Sequence, residues 1–143
     1  MEIRYTLKEA NQAMKLVRVI AGEMLERRDE RRARATRRHQ LESAAKPERM
    51  RDQLAELDAR IWELDEALLR CRQELQDLGL TILRESPLTI HFPGRSAPGD
   101  RTATDAGEEL VFCWQEGEGR VGLGHPVGEE AHPRLPLRVA KGA

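Results

Sequence analysis

Residues 50–78, MRDQLAELDARIWELDEALLRCRQELQDL, decide the fold. Met50, Leu54, Leu57, Ile61, Leu64, Leu68, Cys71, Leu75 and Leu78 recur at steps of 4, 3, 4, 3, 4, 3, 4 and 3. A 3-4 alternation held over four heptads keeps one apolar seam facing a partner helix. Pro47 disfavours a helical Lys46 but suits the first turn of a new helix, and Gly79 follows as the expected stop. The pattern therefore predicts a helix over 47–78.

A first helix is expected to supply the partner. Thr6-Leu7-Lys8-Glu9 reads as a capping box, in which hydroxyl and carboxylate satisfy each other's backbone amides. Leu7, Ala10, Met14, Val17, Ala21 and Met24 then recur on one face, widened by Leu16, Ile20 and Leu25. Nothing breaks this helix before about residue 44, and the short link to Pro47 favours antiparallel packing. Each helix of about 30 residues would run roughly 45 Å.

After Gly79 the period changes to two. Leu80 and Ile82 alternate with Thr81 and Leu83, and Leu88, Ile90 and Phe92 alternate with Thr89 and His91, so both runs read as short strands. Residues 93–109 are a polar loop rich in Gly, Pro, Ser and Asp, expected to be mobile. A hairpin follows, Leu110–Gln115 and Arg120–His125, turning at Glu116–Gly119. A turn centred on Gly117-Glu118 would set Leu110, Phe112 and Trp114 on one face with His125, Leu123 and Val121. Cys113 would then oppose Gly122, where glycine allows close approach by a helix or ligand. The expected fold class is α+β, mostly α: a long antiparallel two-helix coiled-coil hairpin (1–79), a small antiparallel β unit (80–125) and an irregular tail (126–143).

Composition agrees. In 143 residues, 34% are charged and 3% aromatic, which suits exposed helices, while 39% hydrophobic is too much for a disordered chain. The net charge of −1 selects no partner class. The N-terminus lacks a basic region followed by an apolar stretch, and no window approaches the roughly 20 apolar residues of a membrane span. A cytoplasmic location without membrane contact is expected, with Cys71 and Cys113 as reduced thiols rather than a disulfide.

Three groups of residues could carry function. Arg27, Arg31, Arg34 and Arg38 form a ridge at helical spacing, suited to tracking a phosphate backbone. The bland alternative is a solvated face neutralised by Glu48, Asp52, Glu56 and Asp58 of the second helix. No aromatic residue interleaves the arginines, which disfavours single-stranded nucleic acid. In the second group, helix one loses its apolar stripe after Leu25, whereas helix two continues with Met50, Leu54, Leu57 and Ile61. Arginine stems would cover part of that surface, and the remainder would meet a protein partner or a second copy. The third group lies in the β unit: His91, Cys113, His125 and His132, with Glu118 in a turn. These lack tight metal-ligand spacing, so no metal or cofactor is expected. No nucleophile elbow, P-loop or dinucleotide fingerprint is present, and an enzyme is not the expected reading.

Several short motifs together resemble a bacterial family known only as domain of unknown function 2203. They are Tyr5-Thr6-Leu7 with Glu9-Ala10-Asn11, Gly79, Phe92-Pro93, Phe112-Cys113-Trp114, Gly117-Glu118, His125, and Arg134 with Pro136-Leu137. The resemblance covers nearly the whole chain and implies a helical hairpin with a β appendage, but no activity. The chain departs from the family pattern at His91, where an acidic residue is usual, at Gly124, where Trp is usual, and in lacking a Gly-Phe step before the arginine. The possible ligand site of the β unit comprises His91, Cys113, Trp114, Glu118, His125 and Arg134.

The leading reading is a non-enzymatic interaction or scaffold module acting through the hairpin, with a protein partner or as a homo-oligomer. One alternative is a nucleic-acid- or ribosome-associated protein using the Arg27–Arg38 ridge. The other is a small-ligand or metal site at the Cys113/His125 β unit.

Overall fold

The computed structural model describes residues 3–44, 46–95, 109–126 and 135–136. Helix α1 spans Leu7–Glu42, a 3-10 turn spans Pro47–Met50 and helix α2 spans Arg51–Asp77. Strands β1 (Thr81–Glu85), β2 (Leu88–Arg95), β3 (Glu109–Gln115), β4 (Leu123–Pro126) and β5 (Leu135–Pro136) form one antiparallel meander in sequence order. The fold is α+β and mostly α, two helices packed against each other and followed by a small antiparallel sheet. Its residues cluster into two compact units, Met1–Arg18 with Leu75–Ala143, and Val19–Glu74.

In the first unit the start of α1 and the end of α2 are closed by caps that the sequence announces. The Thr6 amide donates to Glu9 Oε1 at 2.9 Å and the Glu9 amide donates to Thr6 Oγ1 at 3.2 Å, closing the capping box. At the other end Gly79 takes φ +83°, the left-handed region open to glycine. Its amide donates to Gln76 O (2.8 Å) and the Leu80 amide donates to Leu75 O (3.0 Å), the paired pattern that closes a helix C-terminus. Leu75 and Leu80 are both buried, which supplies the apolar contact of that motif. Tyr5 extends the sheet: its amide donates to Pro93 O, its carbonyl accepts from the Arg95 amide, and its hydroxyl donates to Leu78 O at 2.6 Å. The ring meets Phe92 edge-on at 5.6 Å.

β2 and β3 are the centre of the sheet, and both faces of each are buried. Leu88, Ile90 and Phe92 are buried, but so are Thr89 and His91; Leu110, Phe112 and Trp114 are buried, but so are Val111 and Cys113. Alternating apolar and polar residues in β2 would suggest one wet face, yet Thr89 turns its hydroxyl to Pro87 O at 3.0 Å. Gly94 is required by close packing, since a Cβ there would stand 2.8 Å from Phe112 Cε2.

The hairpin after β3 differs from the expected register by one residue. Val111 pairs with His125, Phe112 with Gly124 and Cys113 with Leu123. A one-residue slip moves every side chain to the opposite face. Two features cause it. The turn is Gln115–Glu118, with the Glu118 amide donating to Gln115 O at 3.0 Å and Gly117 at φ +97°. Residues 119–122 then leave the ladder, because Val121 pairs with the Asn11 side chain instead, and β4 opens only at Leu123. Gly122 has no atom within 4 Å of a built Cβ, so close approach does not explain it. β2 runs on through Arg95 and β3 opens at Glu109, inside the span read as loop; residues 96–108 lie outside the described residues.

The second unit is the antiparallel pairing of α1 and α2 from Val19 to Glu74. Ile20, Ala21, Met24 and Leu41 of α1 are buried, as are Leu57, Leu64, Ala67 and Cys71 of α2. The Cys71 thiol donates to Glu23 Oε2 at 2.9 Å. Burial, reinforced by that carboxylate, pushes the thiol up to about 12.

Candidate interaction surface

Every arginine of the ridge faces a carboxylate. Arg27 lies 3.8 Å from Glu23, Arg31 pairs with Asp65, Arg34 lies 3.4 Å from Glu30, and Arg38 pairs with both Asp58 and Glu42. Arg60 grips Glu30 through two bonds of 2.6 and 2.7 Å and also reaches Glu63 at 3.0 Å. These hydrogen bonds, Arg60 first, hold the Glu30 carboxyl down at about 2. Of the acids expected to compensate the ridge, Asp58 does so directly. Glu30, an acid within the run itself, and Asp65 compensate it as well; antiparallel facing residues whose numbers sum to about 96 find Asp65.

At the closed end of this unit, Leu57 is buried and Met50, Leu54 and Ile61 are half-buried. Leu41, one turn beyond the arginines on α1, is 5% exposed, so α1 regains a buried apolar residue there.

The large apolar surface lies elsewhere, on the outer face of α2. Trp62 is 65% exposed and Leu69 is 59% exposed. At 3.6 residues per turn they stand about 150° round the helix from Leu64 in the buried seam. Ala55 and Ala59, both exposed, precede them on the same stripe, with Glu66 and Gln73 interspersed. Trp62 also walls a groove of about 330 Å³ with Leu64 and Ala67, ringed by Arg27, Arg60 and Arg70 and by Glu63 and Glu66. The sequence carries this signal as a second 3-4 pattern, Ala55, Ala59, Trp62, Glu66, Leu69, Gln73, out of phase with the longer seam that obscures it.

In the β unit the register places His91 directly opposite Cys113, and His125 on the next strand two residues along from Cys113's partner Leu123. His91 and Cys113 thus share one sheet face. Cys113 and His91 are buried. Among the described residues no group of three or more His, Cys, Asp or Glu could hold a metal ion. Trp114 and Glu118 build the turn: the indole N–H donates to Glu118 O at 3.1 Å, and Glu118 Oε1 accepts from the Gln115 amide at 2.7 Å. Arg134 and His132 lie outside the described residues.

No helix among the described residues is long and apolar enough to cross a membrane. A capped two-helix hairpin joined to a small antiparallel meander, with Trp62 and Leu69 exposed on one face of α2, defines a helical-hairpin protein. The sequence profile of the family described as "Uncharacterized conserved protein (DUF2203)" matches residues 4–137, and the chain belongs to that family. No curated protein and no solved structure matches it.

Proposed function

We propose that the chain is a non-enzymatic interaction module whose hairpin presents the outer face of α2 to a protein partner. The observation that carries this reading is the joint exposure of Trp62 and Leu69 on one stripe. Tryptophan is a frequent anchor of protein interfaces, and it contributes most where a ring of near-neutral contacts excludes water. The groove beside Trp62 offers an apolar floor and a charged rim of both signs, the composition of an interface rather than of a polyanion track. The ridge arginines support a nucleic-acid reading less well, since a phosphate backbone would compete with a carboxylate at each of them.

The test is an affinity pull-down of the tagged full chain beside a Trp62→Glu/Leu69→Glu variant, each with and without nuclease. A partner retained by the parent in both arms and lost by the folded variant is the expected result. Identical recoveries by parent and variant would refute the reading.

A second reading, a small-ligand site in the β unit, is favoured by buried His91 standing opposite buried Cys113. A thermal-shift screen of small ligands against the parent beside His91→Ala tests it. A ligand that stabilises the parent and not the variant is expected, and a parent that no ligand stabilises counts against the reading.

A further inference from the structure

We infer that the partner of the α2 outer face is a second copy of this chain, paired antiparallel along α2. The inference rests on the interaction reading above and names its partner.

The stripe is a heptad frame. Ala55, Trp62 and Leu69 occupy one core position, and Ala59, Glu66 and Gln73 occupy the other. In an antiparallel pair each position of the first kind packs against one of the second. Leu69 therefore lies against Glu66 of the second copy, and Trp62 against its Gln73. The two-fold axis falls between residues 67 and 68.

The flanking positions then decide the partner. On one side of the stripe stand Glu56, Glu63 and Arg70; on the other stand Asp58, Asp65 and Arg72. About that axis Glu63 faces Arg70 of the second copy, and Asp65 faces its Arg72. The symmetry repeats both pairs, giving four attractive contacts around the Trp62–Leu69 centre. A C2 interface must be complementary to itself, and this charge order, acidic and then basic within two turns, has that property. A parallel pair would set Glu66 against Glu66 in the core, where like charges are costly. The intramolecular contacts of Glu63 with Arg60 and of Asp65 with Arg31 remain compatible, because a carboxylate accepts from several donors. Glu66 in the stripe limits the apolar area, so the dimer is weak and concentration-dependent.

Sedimentation equilibrium of the full chain over a wide concentration range tests this. The expected result is a reversible shift from 16.3 kDa toward twice that mass. Trp62→Glu/Leu69→Glu abolishes the shift with helix content unchanged. Arg70→Glu sets four carboxylates against one another and weakens the dimer about tenfold at low salt. Adding Glu63→Arg to Arg70→Glu restores it, a rescue that a folding defect would not show. Glu66→Leu tightens the dimer. A chain that stays monomeric throughout overturns the second-copy inference while leaving the pull-down to decide the interaction reading. A dimer indifferent to Trp62→Glu/Leu69→Glu, or an Arg70→Glu defect not rescued by Glu63→Arg, also overturns it.

Discussion

The side-chain amide of Asn11 pairs with the backbone of Val121 at two points. Asn11 Nδ2 donates to Val121 O at 2.9 Å, and the Val121 amide donates to Asn11 Oδ1 at 2.9 Å. The pair imitates one rung of a β-ladder, and it withdraws Val121 from pairing with β3. The Asn11 Nδ2 group also donates to Leu7 O at 3.1 Å, which orients the amide from its own helix. A single α1 side chain thus sets where β4 begins.

Asn11→Ala leaves two backbone groups of Val121, a fully buried residue, without these partners. The expected cost is about 1–3 kcal/mol, the usual range for stranding a buried polar group. Asn11→Asp keeps the acceptor for the Val121 amide but sets a carboxylate oxygen against the Val121 and Leu7 carbonyls, so it costs at least as much as the alanine. Urea unfolding of the three proteins checks the order; equal midpoints would show that the pair contributes nothing.

Gly94→Ala should destabilise the sheet by about 1–3 kcal/mol through overpacking. Its Cβ would enter the Phe112 ring at 2.8 Å, and Phe112 is buried with no open side to retreat into. Gly94→Ala combined with Phe112→Leu relieves the clash. Thermal melts of the single and double variants test this, with a stability of Gly94→Ala equal to the parent as the contrary result.

The Cys71 thiol is raised from 9.0 to about 12, by burial first and by Glu23 second. A raised folded value means stability fully present below 9.0 and lost as pH climbs toward 12. Alkylation mapped by mass spectrometry near pH 9 should therefore spare Cys71 in the folded chain and modify it in denaturant. The Cys71→Ala variant should lose the part of the alkaline decline that this thiol supplies, while Tyr5, raised by burial, keeps its own. Rapid labelling of Cys71 in the folded state would contradict the buried thiol–carboxylate contact.

The helices and their ends were legible because their physics is local. The capping box at Thr6 and Glu9, the Gly79 stop and the Leu57–Leu75 seam each follow from residues within a few turns of one another. The β3–β4 register was not legible, because it depends on Asn11, 110 residues from Val121. Trp114 and Glu118, candidate ligand residues by sequence, also hold the turn, a structural use that shares its polar side chains with ligand binding and so is not legible in residue type alone. The exposed Trp62–Leu69 stripe was written in the sequence but masked by a longer apolar pattern on the same helix.

The Arg60–Glu30 pair gives the hairpin an acid-sensitive component. Glu30 sits at about 2 instead of its ordinary 4.5, chiefly through the Arg60 hydrogen bonds and also through Arg34. Asp58, held by Arg38, is lowered as well. A depressed folded value contributes stability above 4.5 that disappears as pH falls toward 2, where the carboxyl protonates in both states. Glu30→Gln removes the charge at every pH. The melting-temperature gap between parent and Glu30→Gln should therefore be constant above pH 4.5, shrink through the interval below it and close near pH 2. High salt should narrow the gap at neutral pH, because both partners are in contact with solvent. Melts taken across that interval at two ionic strengths decide the matter. A gap that keeps its size down to pH 2 would mean that Glu30 acts through packing of its methylenes and not through its charge.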